Sequence, residues 1–170
     1  MSQRVLVAGV GNIFLGDDGF GVEVARRLST ETWPDGVQVM DFDIRGVHLA
    51  YQLLEGYDTL VLIDAASRGE QPGTVFLLEP DFAREENLER MENGFLLDAH
   101  GMDPELVLGM LKDLGGKVDR VLIVGCEPAE VVERIGLSEP VEYAVEEAVR
   151  LVRDVIARVH NHKKEEVRIC

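Results

Sequence analysis

The chain is short of cysteine, of long apolar runs and of positive charge. Cys126 and Cys170 are the two cysteines in 170 residues. Two thiols do not make a disulfide framework for a chain of this size. No stretch approaches the roughly 18 apolar residues needed to span a bilayer, so no membrane-spanning segment is expected. Met1 to Arg4 pass straight into a strand-like run, without the charged, apolar and small-residue regions of an export signal. The expectation is a cytoplasmic protein with both thiols reduced. Lys and Arg number 17 against 32 Asp and Glu, a formal net charge of −15. Phosphate backbones and anionic lipid repel such a chain, so neither nucleic acid nor membrane is an expected partner. A basic protein partner or a cationic metal centre is compatible with that charge, and so is a role in solubility alone.

Several chemical signatures are missing too. Gly9-Val10-Gly11 opens like a dinucleotide fingerprint, but Phe14 occupies the third glycine position and the helix starts too late. There is no Walker A loop. Ser67 and Ser138 lack the context of a nucleophile elbow. Internal repeats and low-complexity linkers are also absent.

What is present is a regular alternation of apolar runs and amphipathic stretches. The length suits a single domain over residues 1–170, with an ordered core over about 4–158 and a polar C-terminal tail expected to fray. Arg4–Gly9 (RVLVAG) reads as a buried strand, followed by a long glycine-rich loop and a helix over Gly21–Leu28. Asp17 or Asp18 can cap that helix. Val37–Asp43 is a second strand and Val47–Gly56 a short helix. Thr59–Asp64 (TLVLID) is the near-continuous apolar run of a central parallel strand. Thr74–Glu79 follows too closely for a crossover helix, so it is expected antiparallel to the third strand. Pro80–Asp98 reads as an acidic surface excursion. Asp103-Pro104-Glu105 is an N-cap, a first-turn proline and a first-turn acid, opening a helix that runs to about Asp113. Arg120–Gly125 is the fifth strand, and a long helix runs from Glu139 to about His160. The sum is an α/β protein: a single-domain three-layer α/β/α sandwich on an about five-stranded, mostly parallel sheet with one antiparallel strand.

Ligands of such folds gather beyond the carboxyl ends of the parallel strands. The polar residues there are Asn12, Asp17 and Asp18 after strand one, Asp41, Asp43 and Arg45 at and after strand two, and Asp64 at the end of strand three. His100 precedes a capped helix. Each has an ordinary structural role open to it: Asp64 as a cap of the next segment, Asp17 and Asp18 as turn residues, His100 as a packed side chain. Together, two carboxylates and an imidazole on one edge suit nickel, zinc or a similar divalent ion. His48 is expected at the surface or packed within its helix, and His160 and His162 in a solvated tail. Cys126 reads as a small buried hydrophobe rather than a nucleophile.

These residues also carry a family likeness. GVGNIFLGDDGFGVEVARRL (residues 9–28) resembles the opening block of the hydrogenase maturation proteases, which trim the large subunit of nickel–iron hydrogenases. LIDAA around Asp64, DAHGMDPELVL around His100 and GCEP at Gly125–Pro128 resemble the later blocks, so the likeness runs from residue 4 to about 155. It implies that Asp18, Asp64 and His100 contact the metal, and that Asp18, Asp41 or Asp64 activates water. It also implies that the nickel is carried by the precursor, with no resident metal required, and that a C-terminal extension is removed once nickel is in place. The family's glycines and threonine after the second-strand aspartate are replaced here by Phe42-Asp43-Ile44-Arg45-Gly46, which sets this loop apart. Two other functions compete on the same residues: a divalent-metal hydrolase of a small substrate, and a non-catalytic nickel-sensing chaperone.

Overall fold

The computed structural model describes residues 3–81 and 103–166. The chain runs β1 (Val5–Val10), a 3-10 turn (Gly16–Gly19), α1 (Phe20–Ser29), β2 (Val37–Asp43), α2 (Gly46–Leu53), β3 (Thr59–Ala65), β4 (Val75–Leu78), α3 (Pro104–Asp113), β5 (Arg120–Cys126) and α4 (Glu139–Glu166). The sheet order is β2-β1-β3-β5-β4. The first four strands in that order are mutually parallel, and β4 pairs antiparallel with β5. The expected α/β architecture is therefore the observed one.

Strand alternation sorts the core into two layers. Val5, Val7, Val61, Ile63, Leu122 and Val124 pack under α1 and α4. Their neighbours Leu6, Ala8, Leu60, Leu62, Val121 and Ile123 pack under α2 and α3. Both faces of β1 and β3 are covered, which is why their sequences read as unbroken apolar runs. As expected, α3 opens with Pro104 in its first turn and Asp103 accepting the Glu105 N–H at 2.9 Å.

Three expectations need correction. β4 does run opposite to β3, but its hydrogen-bonded neighbour is β5, which lies between them. Two strand spacings are only about 10 Å, a gap that the short connection from Ala65 to Val75 can bridge. Phe76 then lies opposite Gly125, where a Cβ would meet the ring at 2.2 Å. The last helix, expected to end at about His160, continues to Glu166. His160 is accordingly half-buried rather than solvated, and its Nδ1 has no hydrogen-bond partner. His48 is exposed. The excursion beyond Asp81, His100 and Cys170 lie outside the described residues, and the side chain of His162 is likewise not described. Among the described residues no helix is long and apolar enough to cross a membrane.

α1 lies on the sheet backbone to backbone. A Cβ on Gly21 would stand 2.1 Å from the Ile63 carbonyl oxygen and 2.4 Å from that of Val10. A Cβ on Gly9 would stand 2.2 Å from the Gly21 carbonyl oxygen. Neither neighbour is a side chain that could swing away. Gly21→Ala is therefore expected to lower stability by about 3 kcal/mol or more, because helix and sheet must separate. A Cβ on Gly109 in α3 meets no described atom within 4 Å. Gly109→Ala should stabilise by roughly 0.5–1 kcal/mol through helix propensity. Urea unfolding midpoints of the two variants check both signs.

Candidate active site

The loop after β1 is built around Gly11, whose φ of +135° excludes other residues. Its N–H donates to the Asp43 carbonyl at 2.9 Å, tying the ends of β1 and β2 together. A Cβ on Gly11 would fall 1.8 Å from the Asp18 carbonyl oxygen and 3.8 Å from Asp64 Oδ1. Gly11 thus packs directly on the main chain of Asp18 and faces the carboxylate of Asp64. Asp18 is 2% exposed and Asp64 3%. The Asn12 N–H donates to Asp18 Oδ2 at 2.8 Å, and Asn12 Oδ1 accepts the Phe14 N–H at 3.0 Å. By strand alternation Asp64 follows Leu60 and Leu62, on the face that carries α2 and α3. His100 is not among the described residues, but α3, which begins four residues after it, packs on that same face. Among the described residues no group of three His, Cys, Asp or Glu side chains could hold a metal ion.

Asp17 has a different task from Asp18. Neither caps α1, whose N-cap is Gly19 with no side-chain hydrogen bond. The 3-10 turn instead directs Asp17 into the loop after β5. Its fully buried carboxylate accepts from the Ala129 N–H at 2.8 Å, the Glu130 N–H at 2.9 Å, the Ser138 N–H at 2.7 Å and the Ser138 hydroxyl at 2.8 Å. Burial by itself raises the Asp17 carboxyl, but the donations from Glu130, Ser138 and Ala129 outweigh it and hold the group below its ordinary value. Ser138, without a nucleophile's setting in the sequence, serves as part of this clamp.

Asp41 lies on the α1 side of the sheet, with the Arg26 guanidinium 4.0 Å away and its side chain 38% exposed. It is not gathered with Asp18 and Asp64. A register shift lets Gly9 face Asp41 and Val10 face Asp43, so Phe42 is the extra residue, and its ring is buried under α2. Asp43 has a φ of +51° and pairs with Arg45 at 3.4 Å, while its Oδ1 is shielded with no donor. Sequence reasoning passed over Glu127, which is buried and accepts the Arg68 N–H at 2.6 Å, joining the loops that follow β3 and β5. Its place in the GCEP segment was the available signal. Cys126 is buried as expected. Burial first, then the charges of Asp17, Glu147 and Glu127, push its thiol up to about 12, so it is no nucleophile at neutral pH.

The clamp gives a pH prediction. A carboxyl held lower in the folded state contributes stability that is complete above its unfolded value, near 3.8, and is lost as pH falls through the folded value. Melting temperatures followed from neutral pH into the acid range should therefore fall less steeply for Asp17→Asn than for the wild type. Asp17→Ala leaves three N–H groups and a hydroxyl without their acceptor, and is expected to lose about 3–5 kcal/mol.

Comparison with known proteins gives the family. A family model described as hydrogenase maturation protease matches residues 22–155. The chain is 30% identical over 158 residues to the hydrogenase expression/formation protein HoxM of Azotobacter vinelandii, covering 92% of this chain and 73% of that one. The structure of the hydrogenase maturating endopeptidase HybD from E. coli superposes with a TM-score of 0.76 at 30% identity, over 92% of this chain and 93% of that one. A hydrogenase 2 maturation peptidase from a Thaumarchaeota archaeon superposes with a TM-score of 0.69 at 31% identity, over 91% and 99% of the two chains. A chain with this fold, these loops and a family match across most of its length belongs to the hydrogenase maturation protease family, and is an endopeptidase.

Proposed function

We propose that this endopeptidase acts in the cytoplasm, where the Cys126 thiol stays reduced, and removes a C-terminal extension from the large-subunit precursor of a nickel–iron hydrogenase after nickel has been inserted. In this reading the nickel belongs to the substrate, and Asp18, Asp64 and His100 recognise it. The carrying observation is a pair of buried carboxylates met by consecutive residues of one loop, Asp64 facing Gly11 and Asp18 held by the Asn12 N–H. Buried carboxylates attract a divalent cation more strongly than exposed ones, because little solvent screens them. Carboxylate and imidazole donors also suit nickel. The Asn12 N–H fixes one oxygen of Asp18, so the carboxylate meets the substrate already oriented.

Peptide hydrolysis then needs a base for the attacking water and an acid for the scissile carbonyl. Asp18 or Asp64 takes the water proton, and the substrate's nickel, close to the scissile bond, polarises the carbonyl. Asp41, set on the other face with Arg26, is left out of this step. Release of the extension lets the trimmed subunit close over its metal site.

Intact-mass measurement of nickel-loaded precursor tests the reading directly. Asp18→Asn and His100→Ala are each expected to slow trimming by ~10²-fold or more while circular dichroism stays unchanged. Full-rate trimming by the folded variants would sink the site assignment. A precursor whose mass the wild type leaves unchanged would remove this precursor as the substrate. Tight nickel binding by the isolated chain would favour a hydrolase with its own metal.

A further inference from the structure

Beside the two carboxylates, the loops after β1 and β5 turn apolar side chains to solvent. Phe14 is 62% exposed, Val132 49% and Ile135 76%. These residues do not sit on loose chain. The Arg134 N–H donates to the Phe14 carbonyl at 3.0 Å, and the Gly16 N–H donates to the Arg134 carbonyl at 2.8 Å. A Cβ on Gly16 would lie 3.0 Å from the Glu130 carbonyl oxygen and 3.4 Å from that of Val132, so the two loops meet backbone to backbone. The Asp17 clamp holds the second loop at both ends, at Ala129–Glu130 and at Ser138. Large apolar side chains held outward on a tethered ladder mark a surface built for contact.

Two observations select what covers it. The first is connection to the carboxylates: Asn12 holds Asp18 through its N–H and Phe14 through its Oδ1, so one residue sets both the rim and the site. The second is charge. The rim carries Glu130 and Glu133, with Arg134 already paired to Glu130 at 3.0 Å, on a chain of net charge −15. A second copy of this chain is repelled there, and a neutral or basic segment is not.

We infer that Phe14, Val132 and Ile135 form a rim that grips an apolar, neutral-to-basic stretch of the precursor polypeptide beside the segment that reaches Asp18 and Asp64. The inference rests on the precursor being the substrate. Its contribution is to binding, so it acts on the Michaelis constant rather than on turnover.

The test is the triple variant Phe14→Ser, Val132→Ser, Ile135→Ser, measured for binding to nickel-loaded precursor by biolayer interferometry and for trimming by mass spectrometry. Kd and KM are expected to rise about tenfold or more, with kcat and melting temperature little changed. Asp18→Asn, which removes a nickel-recognising and water-activating group, should by contrast lose kcat. Unchanged Kd and KM in the folded triple variant would overturn the rim. So would a wild-type dimer that the triple variant abolishes while KM holds. Should the triple variant fail to fold, Ile135→Ser alone, the most exposed of the three, is expected to raise Kd about threefold, and no change would count against the rim. A wild type that binds the precursor without trimming it, with binding weakened in the variant, keeps the rim and removes the proposed cleavage of this precursor. A wild type that neither binds nor trims removes both.

Discussion

Where α1 crosses the sheet, main chain rests on main chain. Gly9 and Gly21 carry no side chain at that crossing, and the small methyl of Ala25 lies beside them, so the helix sits low on β1 and β3. The depth of this contact sets the length available to the loop between β1 and α1. That loop leaves the strand, turns at Gly11, makes its 3-10 turn and enters the helix at Phe20. Asp17 and Asp18 therefore leave the turn in different directions, one into the loop after β5 and one toward Asn12. The two glycines thus act on the site without touching it.

Much of this was legible in the residues, for reasons that differ from place to place. Thr59–Ala65 declares itself a central strand because both of its faces are buried, and that burial demands apolar residues at every position. Asp103-Pro104-Glu105 marks the start of α3 because capping is local chemistry. Partner identity was not legible. Nothing in Thr74–Glu79 distinguishes β3 from β5 as a neighbour, since the choice is made by the ring of Phe76 finding Gly125 across the sheet. The division of labour between Asp17 and Asp18 was equally hidden. Two adjacent aspartates look alike in a sequence, and only the four donors converging from residues 129–138 tell them apart.

An acidic chain that gathers buried carboxylates has to pair them by different means. Asp17 is paired with peptide N–H groups and a hydroxyl, which provide partial positive charge without a mobile cation. Arg26 and Arg45 are spent on Asp41 and Asp43 at the rim of β2. Asp18 draws on the Asn12 N–H. Arg68, in the loop after β3, lays its guanidinium over the Phe76 ring at 4.8 Å.

Cys126 offers a use for what is otherwise a silent atom. Its sulfur has no exposed surface and its proton is held up to about 12, so the native protein presents no thiolate there. Alkylation at this position can proceed only through molecules in which the layer of helix side chains packed over Cys126, those of α4 among them, has lifted from the sheet. Peptide-resolved labelling of Cys126 would thus act as a clock for opening of that layer, and its rate would report how often this side of the core comes apart under working conditions.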